Sequence, residues 1–181
     1  MPLVLSGTNG ISTNGTNWAL QPDSTGRVRL PNQAFIRATH AGNGSTAIGN
    51  NSFTTLTSSY GTWSVAASAG GFSFNTTTGA MTVPVTGTYL IGAKGFFSLN
   101  NDNISYHIRF IQNGSNPFDQ SEWRFYTPGV TQGDERGRIR IETTTLISLV
   151  ANDTWQIQVT TVGSSDQYMD NASSMWAVLL S

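Results

Sequence analysis

Gly71–Gly92, GFSFNTTTGAMTVPVTGTYLIG, is the stretch on which the fold turns. Phe72 and Phe74 share one face of an extended segment, since side chains along a strand point alternately to its two sides. Asn75-Thr76-Thr77-Thr78-Gly79 has the residues to reverse the chain, with Gly79 free to take positive φ. Met81 and Val83 then alternate with small or polar neighbours. Pro84 and Gly87 bracket a second corner, and Tyr89-Leu90-Ile91 starts a strongly apolar strand.

The same rhythm extends in both directions. Strands are predicted at Ala34–Thr39, Phe53–Leu56, Trp63–Ala66, Phe72–Phe74, Ala80–Val83, Thr88–Phe97, Ile104–Ile111, Trp123–Tyr126, Arg138–Val150, Trp155–Val162 and Met175–Leu180. In Ile104–Ile111 the alternation is clean: Ile104, Tyr106, Ile108 and Phe110 face one way, Ser105, His107 and Arg109 the other. Gln112-Asn113-Gly114 is a strong turn. No segment has helical periodicity, and β-branched residues outnumber good helix formers. Many short strands at regular spacing imply a sandwich or barrel, with a jelly roll as the natural form. Residues 1–32 differ: they are rich in Gly, Asn, Thr and Ser, with apolar residues only in short bursts, enough for small strands and turns but not a core.

Two strands are apolar on both sides. In the last, Met175, Ala177 and Leu179 oppose Trp176, Val178 and Leu180. In Thr88–Phe97, Tyr89, Ile91 and Phe97 oppose Leu90 and Phe96. A sandwich strand normally wets one face. The expected cover for the second face is another copy of the chain, with Tyr89, Ile91, Phe97, Trp176, Val178 and Leu180 as interface candidates. The alternative is that the N-terminal arm folds over this sheet.

The 181 residues suit one domain with an extension at an end. Only 10% are charged, and the net charge is −1. Lys94 is the only lysine, and hydroxyls and amides stand where an ordinary cytosolic enzyme has Lys and Glu. Such a surface tolerates close contact between chains. It argues against nucleic acid, which needs concentrated positive charge. Arg136, Arg138 and Arg140 fall among Asp134, Glu135 and Glu142 and read as a solvated or intersubunit ion-pair strip. There is no cysteine, which excludes disulfides and thiolate metal sites. MPLVLSGTNG has no basic start and too short an apolar run for a signal peptide, and no segment is long enough to span a membrane. Synthesis in a cytoplasm, without export by an N-terminal signal and without membrane insertion, is the expectation.

Ala34–Ser181 resembles the C1q-like domain, a trimeric jelly roll related to the tumour necrosis factor fold. The opening Ala34-Phe35, the run from Phe74 through Gly79 to Pro84-Val85-Thr86-Gly87-Thr88-Tyr89, and Ile108 through Asn113-Gly114 follow that family's order. So do Leu146 through Asn152-Asp153 to Val159 and the closing Trp176-Ala177-Val178-Leu179-Leu180. The collagen-like Gly-X-Y stalk of animal members is lacking. Instead Ser6–Ser12 and Asp23-Ser24-Thr25-Gly26-Arg27-Val28-Arg29-Leu30-Pro31 are similar to segments of bacteriophage tail-fibre and related virion proteins. Together the resemblances imply an N-terminal virion-attachment segment at 1–32 and a head at 33–181, a ten-stranded jelly-roll sandwich that forms a homotrimer. The implied location is the virion. The implied role is a phage fibre or spike that docks on other virion proteins through its N-terminal segment and recognises a host-surface ligand, a glycan above all. The alternative is a capsid or neck decoration protein that stabilises the particle through protein contacts.

Signs of chemistry are few. His40 and His107 are the only histidines; neither sits in a metal-ligand spacing, and each reads as a strand histidine facing solvent or a subunit. No G-x-S-x-G nucleophile turn is present. Asn100-Asn101-Asp102-Asn103 has oxygen donors of the kind calcium takes, and some C1q-like relatives bind it. One carboxylate is a poor ligand set unless symmetry gathers three copies, and a plain turn is expected there, as at Asp166 and Asp170. No enzyme activity, cofactor or metal is expected. Asp119 and Glu122, close to Trp123 and Tyr126, pair acids with aromatics and are the ligand-contact candidates; the alternative is that Trp123 and Tyr126 pack in the core or an interface. Tyr60, Trp63 and Tyr168 are further aromatics with a chance of exposure.

Overall fold

A computed structural model describes residues 21–22, 28–29, 33–43, 46–49, 51–98, 104–117, 123–126, 138–163, 169 and 173–180; at 21–22, 28–29, 98, 123–126 and 138–139 it describes backbone alone. The strands, in chain order, are β1 (Gln21–Pro22), β2 (Val28–Arg29), β3 (Phe35–Gly42), β4 (Thr54–Thr55), β5 (Gly61–Ala69), β6 (Ser73–Asn75) and β7 (Ala80–Thr82). They continue as β8 (Gly87–Ser98), β9 (Ser105–Gln112), β10 (Asn116–Pro117), β11 (Trp123–Tyr126), β12 (Arg138–Leu149), β13 (Thr154–Val162) and β14 (Ser173–Leu179). A single 3-10 turn, Ser58–Tyr60, is the one helical piece among the described residues, and no helix there is long and apolar enough to cross a membrane.

Two antiparallel sheets form a sandwich. The five-stranded sheet runs β12-β8-β14-β3-β5. The seven-stranded sheet runs β10-β9-β13-β7-β6, with β11 also paired to β9 and β4 to β13. Two-residue strands such as β4 and β10 raise the number above the expected ten. The β1–β2 pair is a small hairpin of its own within residues 1–32.

The stretch quoted first folds as its residues dictate. The Asn75 Oδ1 accepts from the Thr77 and Thr78 amides at 2.9 and 3.0 Å, and the Gly79 amide closes back on the Asn75 carbonyl. Gly79 takes φ +71°, and a Cβ there would lie 2.3 Å from the Leu56 carbonyl oxygen. That oxygen already accepts from the Trp63 indole at 3.0 Å, so the turn, the 3-10 segment and β5 are locked together. At the second corner the Tyr89 hydroxyl donates to the Val85 carbonyl at 2.5 Å.

The core lies between the sheets. Ile36, Ala38, Tyr89, Ile91, Phe97, Ile141 and Met175 from one side meet Tyr106, Ile108, Phe110, Trp155, Ile157 and Val159 from the other. Edge-on or tilted ring contacts join Phe97 to Tyr106 at 5.1 Å, Phe110 to Trp155 at 5.2 Å and Phe72 to Tyr89 at 5.8 Å. Burying such a side chain contributes about 1.5–3 kcal/mol.

Three expectations are corrected here. His40 does not face solvent: β3 runs on past Thr39, and the alternation that turns Ile36 and Ala38 inward turns His40 inward as well. Its ring rests 4.7 Å from that of Trp63, and neither ring nitrogen has a hydrogen-bond partner within normal geometry. Burial pushes its pKa down to about 4, with the neighbouring Thr57 backbone pulling weakly the other way. Trp63 is buried rather than exposed, because β5 starts at Gly61 and Trp63 pairs with the inward-facing His40 of β3. His107 does lie on the outer side of β9, but it too is buried, edge-on to Phe53.

One end of the sandwich is tied by side-chain amides. Asn113 and Asn152 take left-handed φ in the turns after β9 and β12. The Asp153 carboxylate accepts from Asn113 Nδ2, Gln112 Nε2 and the Val150 amide. The Asn113 amide, then the Val150 N–H, hold its pKa below the usual carboxylate range against slight desolvation.

Candidate functional site

Paired residues in antiparallel strands share a face, so the register assigns every side chain of the five-stranded sheet. Ala177 pairs with Ile91, and Leu179 with Tyr89. Tyr89 and Ile91 therefore share the inner face with Ala177 and Leu179, and Phe97 follows by parity. All three are 0% exposed in a single chain and offer nothing to a second copy. The interface candidates Tyr89, Ile91 and Phe97 are thus core residues. The outward apolar side chains of β8 are Leu90 and Phe96, which lie on the same face as Trp176 and Val178.

That outer face has two parts. Toward one end an apolar row crosses all five strands: Leu146, Leu90, Val178, Phe35 and Ala69 are successive partners. Leu146 is 61% exposed and Phe35 38%, with Val150 and Leu180, at 61% and 52%, beside the same end. Individually exposed apolar residues are ordinary; a row of them is not.

The next row, two residues and about 7 Å along the strands, is Thr144, Gly92, Trp176, Arg37 and Ala67. Gly92 lets the indole of Trp176 lie against the sheet: a Cβ at 92 would meet the indole Cε2 and Cζ2 at 2.3 Å. The row beyond it brings Glu142, Lys94, Ser174 and Thr39 together. Between these rows opens a hollow of about 260 Å³, lined by Arg37, Ala93, Lys94, Glu142, Thr144, Ser174 and Trp176. Glu142 is ion-paired with Arg140. Lys94 has its ammonium 5.0 Å from the centre of the Phe96 ring, and neither Lys94 nor Arg37 has an ion-pair partner among the described residues. The hollow combines an aromatic surface, two hydroxyls, one carboxylate and two cations that have no ion-pair partner among the described residues. Its two cations suit the binding of an anion.

Of the ligand-contact candidates, Asp119 and Glu122 lie outside the described residues. Trp123 and Tyr126 are described in backbone alone, as β11, where they pair with Ile108 and Ser105 of β9. The Asn100–Asn103 loop, Asp166, Tyr168 and Asp170 lie outside the described residues too, as do the side chains of Arg136 and Arg138. Among the described residues no group of three or more His, Asp or Glu is gathered as for a metal ion.

Sequence reasoning passed over Arg37, Gly92 and Lys94. A signal was present: the one lysine of the chain interrupts its most apolar strand, at outward parity, two residues from a glycine that interrupts it too. No protein-family model and no curated protein matches the chain.

Proposed function

We propose that this chain is a homotrimeric virion fibre or spike whose C1q-like jelly roll recognises a host surface. The single observation that carries the reading is the apolar row Leu146-Leu90-Val178-Phe35, exposed at its Leu146 and Phe35 ends and half-buried between, on the outer face of the five-stranded sheet. Covering it with two sister copies about a threefold axis removes that row from water, and threefold valency raises weak surface contacts to useful avidity. The strand orders support the jelly-roll assignment. In one sheet the last strand, β14, lies between β8 and β3; in the other, β13 lies between β9 and β7. These are the long-range returns of a Greek-key sandwich rather than of a meander. The sparse charge and the attachment-like segment at 1–32 fit a part that packs against other virion proteins.

Sedimentation of the purified chain tests the assembly: a species of three times 19.4 kDa is expected, and a monomer at micromolar concentration overturns it. Excess trimer should then reduce adsorption of the parent particle to host cells. A trimer that leaves adsorption unchanged but sits on the capsid shell would identify a decoration protein instead.

A further inference from the structure

We infer that the hollow over Gly92 is a binding site for a single acidic sugar, a uronic-type or sialic-type residue at the end of a glycan. The inference rests on the reading of this chain as a host-surface binder and names the ligand class that reading leaves open. Among the described residues Arg37 and Lys94 have no ion-pair partner, while the carboxylate that lines the hollow, Glu142, is engaged through one oxygen by Arg140. Closing the sheet face to face over these cations around a threefold would gather six like charges away from water, which costs far more than leaving them wet. The copies therefore meet along the apolar row, and the hollow stays at the hydrated end of the same face.

What the hollow can hold follows from its lining. The Trp176 indole offers a face with negative quadrupole, which attracts the C–H bonds on one side of a pyranose ring. Gly92 keeps that indole low on the sheet, and no other residue at 92 would. The Arg37 guanidinium and the Lys94 ammonium, on either side of the β14 row, can donate charge-assisted hydrogen bonds to a carboxylate. Ser174, Thr144 and the second carboxylate oxygen of Glu142, Oε2, remain for sugar hydroxyls. At about 260 Å³ the space falls below the range of drug-sized pockets, so it admits one ring rather than a chain of them.

The test uses the whole purified chain, 15N-labelled, titrated with sodium glucuronate, glucose, acetate and inorganic phosphate. The indole N–H signal of Trp176 is assigned by comparison with Trp176→Phe. Glucuronate should move it saturably, with glucose and acetate each at least about tenfold weaker, the worth of one charge-assisted hydrogen bond. Arg37→Gln and Lys94→Gln, both at side chains with no ion-pair partner among the described residues, should each weaken glucuronate about tenfold. Gln158→Ala on the opposite sheet should change nothing. Glucose binding as well as glucuronate would show that charge is not read. Acetate or phosphate doing as well would reduce the hollow to a generic anion site. No movement, with Trp176 shielded from acrylamide quenching, would mean that protein covers the face. Each of these three results overturns the inference. Sedimentation of the same sample separates the two readings: a trimer that ignores glucuronate sinks this inference alone, and a monomer that binds it sinks the trimer alone.

Discussion

On the outer side of the seven-stranded sheet, polar side chains find partners within the chain. Arg109 donates to Gln158 Oε1 at 2.9 Å and lies 3.6 Å over the Phe53 ring. Gln158 donates onward to Thr55, Gln156 to the Thr78 carbonyl and Thr160 to the Gly49 carbonyl. On the outer side of the five-stranded sheet, Leu146 and Leu180 stand more than half exposed, and Arg37 and Lys94 have no ion-pair partner among the described residues. Both sheets supply one core with the same alternation of strand side chains. A face whose hydrogen bonds close within the chain is finished. A face that leaves apolar area exposed is available for contact, and the contrast is why the proposed interface is placed on the five-stranded sheet.

The sharpest way to break the contrast is to put one lysine on each outer face. Val178→Lys should abolish the proposed trimer, in which it would set three ammonium groups at a buried threefold contact at a cost of several kcal/mol. Gln156→Lys should leave the assembly intact; sedimentation of the pair decides. If both remain trimers, the five-stranded face is not the interface.

Acid should weaken the five-stranded side from within. Above pH 6.5 the His40 ring is neutral folded or unfolded and costs nothing. Below it the unfolded chain takes up a proton that the buried ring refuses until about pH 4. Stability therefore falls as pH drops from 6.5 to 4, by about 3 kcal/mol in all. Urea midpoints across that range would show it, and His40→Met should flatten the slope. Asp153, whose lowered pKa stabilises the fold at neutral pH, adds a further loss in the same direction at more acid pH.

Gly92→Ala tests whether the hollow is as tightly built as it looks. The new methyl meets the indole ring, and the strain of moving it should cost about 1–3 kcal/mol. The Trp176 signal should shift even without ligand. The mildest change belongs to the finished face: Gln158→Ala removes two hydrogen bonds at a half-buried site and should cost about 1 kcal/mol, with no effect on assembly.

Alternation along a strand was legible in the residues, and so the two apolar sides of Met175–Leu180 were read correctly from Trp176 and Val178. Pairing between strands was not. Whether Tyr89 faces the same way as Trp176 depends on register, and register is set by turn lengths and by a partner strand far away in sequence. One residue of slip moves Tyr89, Ile91 and Phe97 from interface to core. His40 shows a different gap: the parity of Ile36 and Ala38 already pointed it inward, but ending the strand at Thr39 hid that. The hollow was invisible for a third reason. Arg37, Gly92, Lys94 and Trp176 come from three strands, and nothing local to any of them says that they meet.

The edge strand β5 has one more consequence. Its register against β3 shifts between Arg37 and Ala38, and from Thr62 to Ala69 the strand has no charged residue to ward off another chain. Edges of that kind invite end-to-end growth into fibrils. The irregularity puts the two halves of the strand out of step, so a visiting strand that matches one half mismatches the other. Copies of this chain are thus kept from pairing along β5 by geometry rather than by repulsion.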